Sequence, residues 1–457
     1  MAIDFEKYAK YSRPAPRYTS YPTANEFHEG FEAGDLAAAI ERSNASGRDL
    51  SLYFHLPFCR SACYFCGCNV IYTSKDEAKE RYIDYLDREI KVAAQTLNTA
   101  RPVRQLHFGG GTPTFFSAAQ LTAIIKIIKK HFKKIAKDAE FSVEIDPRFF
   151  NEDHMKALQE GSVNRVSFGA QDFDAQVQEA VHRVQSFDET ARAVKIARSH
   201  GIKSVNIDLI YGLPFQTIES FTRTIALALS LAPDRVALFN YAHVPWIKKT
   251  MRKLDETTLP KPETKLKMLQ SAIETLESGG LEMIGMDHFA SPKDELNIAL
   301  KNGKLHRNFQ GYTTHNECDL FGFGVTSISE GRDFYAQNFR DLASYEAAID
   351  AGKAPLMRGI RLGEEDLLRK KIIGELMSNF ALDFAAISKE FKINFREKFG
   401  EEIAALAPFA EENLLTIGEN SIAIAPTGRL LIRNIAIIFD EFLQKTEEVK
   451  RQFSKSV

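Results

Sequence analysis

The chain lacks the features that would mark it for a membrane, for secretion or for nucleic acid. No apolar run in its 457 residues approaches the length of a membrane span. The opening Met-Ala-Ile-Asp-Phe-Glu-Lys has neither the basic start nor the apolar stretch of a signal peptide, so a cytoplasmic location is expected. Charge of either sign is not in excess: 59 Lys and Arg face 61 Asp and Glu, a net of −2, which gives no field to recruit nucleic acid or an anionic membrane. Internal repeats and low-complexity segments are absent. Cysteine is scarce at five residues, and four of the five fall between Cys59 and Cys68. That distribution excludes a disulfide framework and fits a reduced compartment with a metal site.

What is present is a composition for a large core, 44% hydrophobic with 26% charged. From about residue 51 to 290, β-type runs alternate with helical patterns. The expected strands are Ser51–Leu56, Arg104–Phe108, Glu140–Asp146, Arg165–Ala170, Ser204–Ile210, Arg235–Tyr241 and Leu281–Asp287. Between them, one helical stripe carries Ile83, Leu86, Ile90, Ala93 and Leu97, and the next Leu121, Ile124, Ile125, Ile128 and Phe132. Such alternation predicts parallel βαβ units in an open sheet or barrel, with the chemistry at the C-terminal strand ends. Lys126, Lys129, Lys130, Lys133 and Lys134 lie opposite the second stripe and read as a solvated helix face. Residues 1–45, rich in Tyr, Pro and Ser, read as an extended arm; 46–360 form the catalytic α/β part; 361–457 form a small, mostly helical or winged-helix-like domain. A monomer is the default.

Cys59, Cys63 and Cys66 have the spacing C-x3-C-x2-C on one short loop after the first strand. Three thiolates there can hold three corners of a cubane iron–sulfur cluster and leave the fourth iron open. Structural zinc is the competing reading, but it usually takes two separated ligand pairs. It would make the chain a zinc-stapled binding module whose winged-helix-like segment reads DNA. Cys68 is a spectator, a substrate-side residue or a neighbour of the ligands. Gly109-Gly110-Gly111-Thr112 follows the second strand; alone, a glycine triplet is equally a tight turn. In Phe141-Ser-Val-Glu144-Ile-Asp146 the two carboxylates share one face, either toward a lumen or at a surface strand end. Asn206 and Asp208 repeat the pattern. Gln171 ends the fourth strand, and Arg183 is a carboxylate clamp or a surface salt-bridge partner.

With Phe65 before the last ligand, the cysteine motif resembles the radical S-adenosylmethionine superfamily. The resemblance narrows with Tyr53-Phe-His55-Leu-Pro-Phe-Cys59, the extra Cys68, Gly109-Gly-Gly-Thr-Pro-Thr114 and Pro16-Arg-Tyr-Thr-Ser-Tyr-Pro-Thr-Ala24. It continues through Gly285-Met-Asp-His-Phe-Ala290, His306-Arg-Asn-Phe-Gln-Gly-Tyr-Thr-Thr314 and Gly428-Arg-Leu-Leu-Ile-Arg-Asn434. Together these resemble the oxygen-independent coproporphyrinogen III oxidase family essentially end to end.

The resemblance implies a partial (β/α)6-type radical SAM barrel. It also implies conversion of two propionates of coproporphyrinogen III to vinyls by way of a 5′-deoxyadenosyl radical, giving protoporphyrinogen IX in haem synthesis. A [4Fe-4S] cluster on Cys59, Cys63 and Cys66, and two S-adenosylmethionine molecules, are implied with it. Tyr53, Gly110, Glu144 and Ile328 would contact the cluster-bound molecule. Phe65, Gly111, Thr112, Gln171, Arg183, Asp208 and Ala242 would contact the second. No catalytic residue is assigned beyond these. A reductant, an electron acceptor and the porphyrinogen are the implied partners. Arg17, His288, His306 and Arg307 are candidates to meet its four carboxylates, and the Tyr-rich arm is a candidate lid. A related haem-binding chaperone or haem-degrading enzyme is the nearest alternative; Cys68, Arg17 to Thr23 and the His306 to Thr314 element speak against the chaperone.

Overall fold

The computed structural model describes residues 9–11 and 15–444. The chain divides into two compact units: residues 27–260 with 317–361, and residues 1–26, 261–316 and 362–457. The larger unit is built on ten strands of one sheet. Six are the parallel strands of the alternating region: β1 (Asp49–Leu56), β2 (Val103–Gly110), β3 (Ile135–Ile145), β4 (Arg165–Gln171), β5 (Ser204–Tyr211) and β6 (Arg235–Asn240). They lie side by side in sequence order. β7 (Cys318–Phe323) runs parallel to β1 on its other side, and β8 (Ile328–Glu330), β9 (Phe334–Asn338) and β10 (Leu356–Arg361) continue antiparallel. No strand pairing closes the sheet into a full barrel among the described residues.

Helices cover the sheet where their apolar stripes dictate. In Ala118–His131, Ser117 caps the first turn by accepting from the Gln120 N–H, and Gln120 returns a bond to the Ser117 N–H. Leu121, Ile124, Ile125 and Ile128 are buried beneath it, while Lys126, Lys129 and Lys130 point to solvent. No helix among the described residues is long and apolar enough to cross a membrane.

The smaller unit holds the elements that depart from expectation. Leu281–Asp287 is no parallel strand; Glu282–Gly285 turns back as an antiparallel hairpin with His288–Ala290. The C-terminal part follows its sequence pattern. Helix Glu364–Asn379 leads to Ala381–Asp383, which pairs with the hairpin Leu415–Ile417/Ser421–Ile424. The arm is also different. Residues 1–8 and 12–14 lie outside the described residues, but Tyr18 and Tyr21 are buried in the C-terminal core. The Tyr18 hydroxyl donates to Asp440 at 2.8 Å, and Arg433 binds the Pro16 carbonyl at 2.9 Å. In the larger unit, Ala33–Ser46 is an α-helix capped reciprocally by Glu32 and Asp35. Residues 15–32 hold no helix longer than one turn, as an arm should, but they are packed, because aromatic residues that look exposed in a Pro-rich segment find apolar partners far along the chain.

One polar cluster pins the core of the larger unit. Glu89, on helix Asp76–Ala93, is 3% exposed. It accepts from the Tyr345 hydroxyl (2.7 Å), the Gly324 N–H (2.7 Å) and the Asn338 amide (2.6 Å). Burial outweighs those donors and pushes its carboxyl up to about 7, from an ordinary value of 4.5. Folding therefore takes up a proton at this side chain. That stabilisation is whole below pH 4.5 and is lost as pH rises through 7. Relative to Glu89→Gln, the native chain should lose on the order of 3 kcal/mol of unfolding free energy between about pH 5 and about pH 8. Denaturant titrations of both proteins at the two pH values measure it.

Candidate active site

The cysteine loop is held at its stem by backbone pairing. Phe58 and Cys59 lie parallel to Ile71 and Tyr72. The Ile71 N–H donates to the Pro57 carbonyl at 2.8 Å, and the Tyr64 N–H donates to the Val181 carbonyl at 2.9 Å. Cys63 is buried and Cys59 and Cys66 are half-buried, whereas Cys68 is exposed. Burial pushes the Cys59 thiol up to about 12. The Cys68 thiol donates to Cys66, and with Lys248 and Arg183 nearby holds Cys66 down at about 6. Among the described residues no three His, Cys, Asp or Glu side chains converge on a point suited to a single metal ion. Three sulfur donors with no imidazole or carboxylate among them fit an iron–sulfur cluster, whose thiolate ligands each hold a different iron and stand further apart than the ligands of one zinc ion.

Beside the stem runs the glycine triplet. β1 and β2 pair in parallel with His55 opposite Gly109 and Leu56 opposite Gly110. The Gly111 and Thr112 N–H groups then donate to the Leu56 and Phe58 carbonyls at 2.9 and 3.0 Å, and the Thr112 hydroxyl lies 3.4 Å from the Cys59 sulfur. Two glycines are required here. Gly110 has φ +112, and a Cβ on it would stand 2.8 Å from the His55 ring. A Cβ on Gly111 would meet the Pro57 carbonyl at 2.6 Å.

Above the triplet, Glu144 accepts from the Gly110 N–H at 3.3 Å and from His107 Nε2 at 3.4 Å, with half its side chain open to solvent. Burial raises its pKa, but the His107 contact and the Gly110 N–H outweigh this and hold it below the ordinary value. His107 Nδ1 accepts from the Ser142 hydroxyl at 2.6 Å, and its ring stacks on Tyr53 at 5.9 Å and 13°. The Tyr53 hydroxyl donates to His55 Nδ1 (3.0 Å). His55 Nε2 donates to the Asn69 carbonyl at the far end of the loop (2.9 Å), which fixes the tautomer.

Asp146 and Arg183 form the charged floor. Asp146 lies one residue past β3, buried, and pairs with Arg148 (2.7 Å) and Arg183 (3.1 Å). It does not share the open face of Glu144. Arg183 is buried too, so the surface-pair reading fails. It donates to the Gly169 carbonyl at 2.7 Å and points at the Cys63 sulfur at 3.6 Å, while its buried Nε has no partner. Gln171 reaches back over Gly169 beside it, from a backbone in the left-handed region (φ 67). Asp208 accepts from Ser167 (2.9 Å) and Asn206 (2.7 Å); burial and then the Glu144 charge push it up to about 7.

Of the remaining expected residues, Phe65 packs against an apolar cluster with Val177, Val181, Leu213 and Tyr241. Ala242 sits just past β6, and Ile328 opens β8 with its carbonyl over Gly322, which pairs with Tyr53. The four cations expected to meet substrate all belong to the smaller unit. Arg17 and His288 both bind Asp287, His306 pairs with Thr313, and Arg307 lies over the Tyr312 ring at 4.8 Å with Nε and Nη1 buried and unpartnered. Sequence reading missed His107, although it alternates with Gly109 on one face of β2. It also missed Lys248, whose Nζ donates to the Cys68 carbonyl at 2.7 Å and which carries no local signal.

Replacing Gly111 by Ala should push the Pro57–Phe58 backbone outward and spoil the loop while leaving the sheet intact. Iron and sulfide content should fall severalfold with the circular dichroism spectrum unchanged.

Comparison with known proteins gives a consistent picture. Residues 53–228 match the Radical SAM superfamily, and residues 362–431 match the HemN C-terminal domain. The oxygen-independent coproporphyrinogen III oxidase of Helicobacter pylori strain J99 is 51% identical over 457 residues, covering 100% of this chain and 99% of its own length. That of Escherichia coli K12 is 45% identical over 448 residues, 98% and 97% of the two chains. The solved structure of the E. coli coproporphyrinogen III oxidase HemN, described as a radical SAM enzyme, superposes with a TM-score of 0.91 at 42% identity. The match covers 97% of this chain and 99% of that one.

Proposed function

The chain belongs to the oxygen-independent coproporphyrinogen III oxidase family of radical SAM enzymes, and from that premise we propose that it turns two propionates of coproporphyrinogen III into vinyl groups in haem biosynthesis. Each conversion releases carbon dioxide and removes one hydrogen atom and one further electron from the side chain. The observation that carries the reading is the alignment of three thiols, an open carboxylate and a fixed guanidinium along the C-terminal ends of β1 to β4. Cys59, Cys63 and Cys66 would hold the [4Fe-4S] cluster, leaving one iron free for S-adenosylmethionine. When bound, the reduced cluster supplies the electron that splits this cofactor into methionine and a hydrogen-abstracting carbon radical.

The chain's own residues bind and orient. Glu144 stays ionised, half open, and suits an ammonium group. Gly110 leaves backbone space beside it, and Tyr53 and Ile328 close the adjacent wall. For a second S-adenosylmethionine the group is Phe65, Gly111, Thr112, Gln171, Arg183, Asp208 and Ala242. Arg183 already spends its two terminal nitrogens on Asp146 and Gly169, which fixes its plane and leaves Nε for an incoming acceptor. Asp208, near 7, can both donate to and accept from a ribose hydroxyl. Arg17, His288, His306 and Arg307 are the candidates for the substrate carboxylates. The reading carries with it a reductant for the cluster, an acceptor for the remaining electrons, a monomeric state and a cytoplasmic location.

Serine at Cys59, Cys63 or Cys66 should abolish cluster absorbance and 5′-deoxyadenosine formation, whereas Cys68→Ser should keep the cluster. Glu144→Gln should keep it too, but bind S-adenosylmethionine about tenfold more weakly, which is about 1.4 kcal/mol, by equilibrium titration. The decisive assay adds S-adenosylmethionine and coproporphyrinogen III to the anaerobically reduced protein. Cofactor cleavage without a vinyl product would reject the substrate and keep the superfamily.

A further inference from the structure

A cluster that works once per cofactor cleavage must be refilled with single electrons from outside, and the segment after β6 lies against the loop that would hold it. Lys248 is bound to the Cys68 carbonyl at 2.7 Å, and Lys253 Nζ stands 5.0 Å over the Tyr64 ring, next to Cys63. These two contacts anchor Val244 to Lys253 directly on the cysteine loop. The outward side of the same segment is unusual for a chain of net charge −2. Trp246, the only tryptophan of the sequence, is 64% exposed and Ile247 is 55% exposed. Arg252 braces this pair by donating to the Pro245 carbonyl at 3.0 Å.

Lys249, Arg252 and Lys253 are exposed, and none of them is paired with a carboxylate among the described residues. The carboxylates that follow are engaged elsewhere: Asp255 caps Thr257, and Glu256 binds His243 at 3.0 Å. A large apolar pair ringed by unneutralised cations is the make-up of a protein-docking patch, and its charge selects a partner of opposite sign. A patch of this kind on the cluster loop brings a docked redox centre close to the acceptor.

Resting on the function proposed above, we propose that Trp246, Ile247, Lys249, Arg252 and Lys253 form the docking site of an acidic one-electron carrier protein that reduces the cluster. In each encounter the carrier, for a flavin its hydroquinone, loses one electron and becomes the semiquinone. The cluster gains that electron, and no bond is made or broken in this chain.

The test uses an acidic flavodoxin and the cluster-loaded protein, without porphyrinogen. Binding of the oxidised carrier should weaken about tenfold or more in Lys249→Glu/Arg252→Glu, and its salt dependence should flatten. Lys249→Gln/Arg252→Gln should fall between the double charge reversal and the native protein, and Trp246→Ala should weaken binding without changing the salt slope. Bleaching of the cluster by the hydroquinone should slow in parallel, while bleaching by dithionite stays at the native rate. Unchanged binding or unchanged reduction by the carrier overturns the proposal. So does a loss of dithionite-driven reduction, which would make the patch part of the cluster's own support. If the carrier results hold but the dithionite-reduced native protein, given S-adenosylmethionine and coproporphyrinogen III in a separate assay, yields no vinyl product, the docking site stands and the assigned substrate falls.

Discussion

The parallel register of β1 on β2 is the constraint from which the rest of the site follows. With Leu56 opposite Gly110, the stem of the cysteine loop and the glycine triplet leave the sheet side by side. The Gly111 and Thr112 N–H groups can then bond the Leu56 and Phe58 carbonyls, and the loop inherits the rigidity of the sheet's centre. A shift of β1 by one residue would turn Tyr53 and His55 to the face opposite His107 and break that seam. The loop's own aromatic residues, Tyr64 and Phe65, pack on the apolar residues by Tyr241, so its shape is shared with its neighbours.

Electrostatics completes the site around Arg183. Burying a guanidinium is unfavourable unless acceptors surround it. Asp146 and the Gly169 carbonyl supply two, and the Cys63 sulfur a weaker third. The positive charge so fixed lies beside the Cys63 sulfur, while Glu144 and Asp208 stand further along the same face with opposite tendencies, one ionised and one near neutrality. Two carboxylates that share a field are pushed apart in pKa, which gives one site both a firm anion and a group able to donate.

Much of this was legible in the sequence because it rests on short-range pattern. The six parallel strands follow from period-two burial, as in Val205, Ile207 and Leu209 against Asn206 and Asp208. The cysteine spacing and the glycine triplet stand on the loops where the strand-end rule puts them. What was illegible depends on distant partners. Leu281–Asp287 has strand composition but turns back on itself as a hairpin. The antiparallel β8 to β10 are short, and the only helix among them, Leu342–Asp350, comes after two of the three. Asp146 shares a period with Glu144 but passes the strand end, where Arg148 and Arg183 capture it. Tyr18 and Tyr21 meet Asp440 and Phe442, more than 400 positions later, which no local window reports. Gln171 adopts a left-handed backbone that its residue type gives no reason to expect.

The sheet that carries the site is open, and this bears on how wide its mouth can be. In a closed barrel the girth is fixed by strand number and stagger. Here the loops that leave the C-terminal ends of β1 and β6 meet through side chains, with the Lys248 amine on the Cys68 carbonyl and Phe65 among the apolar residues by Tyr241. A seam of that kind stretches at the cost of roughly 1 kcal/mol for the hydrogen bond, with the strand ladders untouched. The spacing of these two loops therefore rests on side-chain contacts and not on a strand ladder.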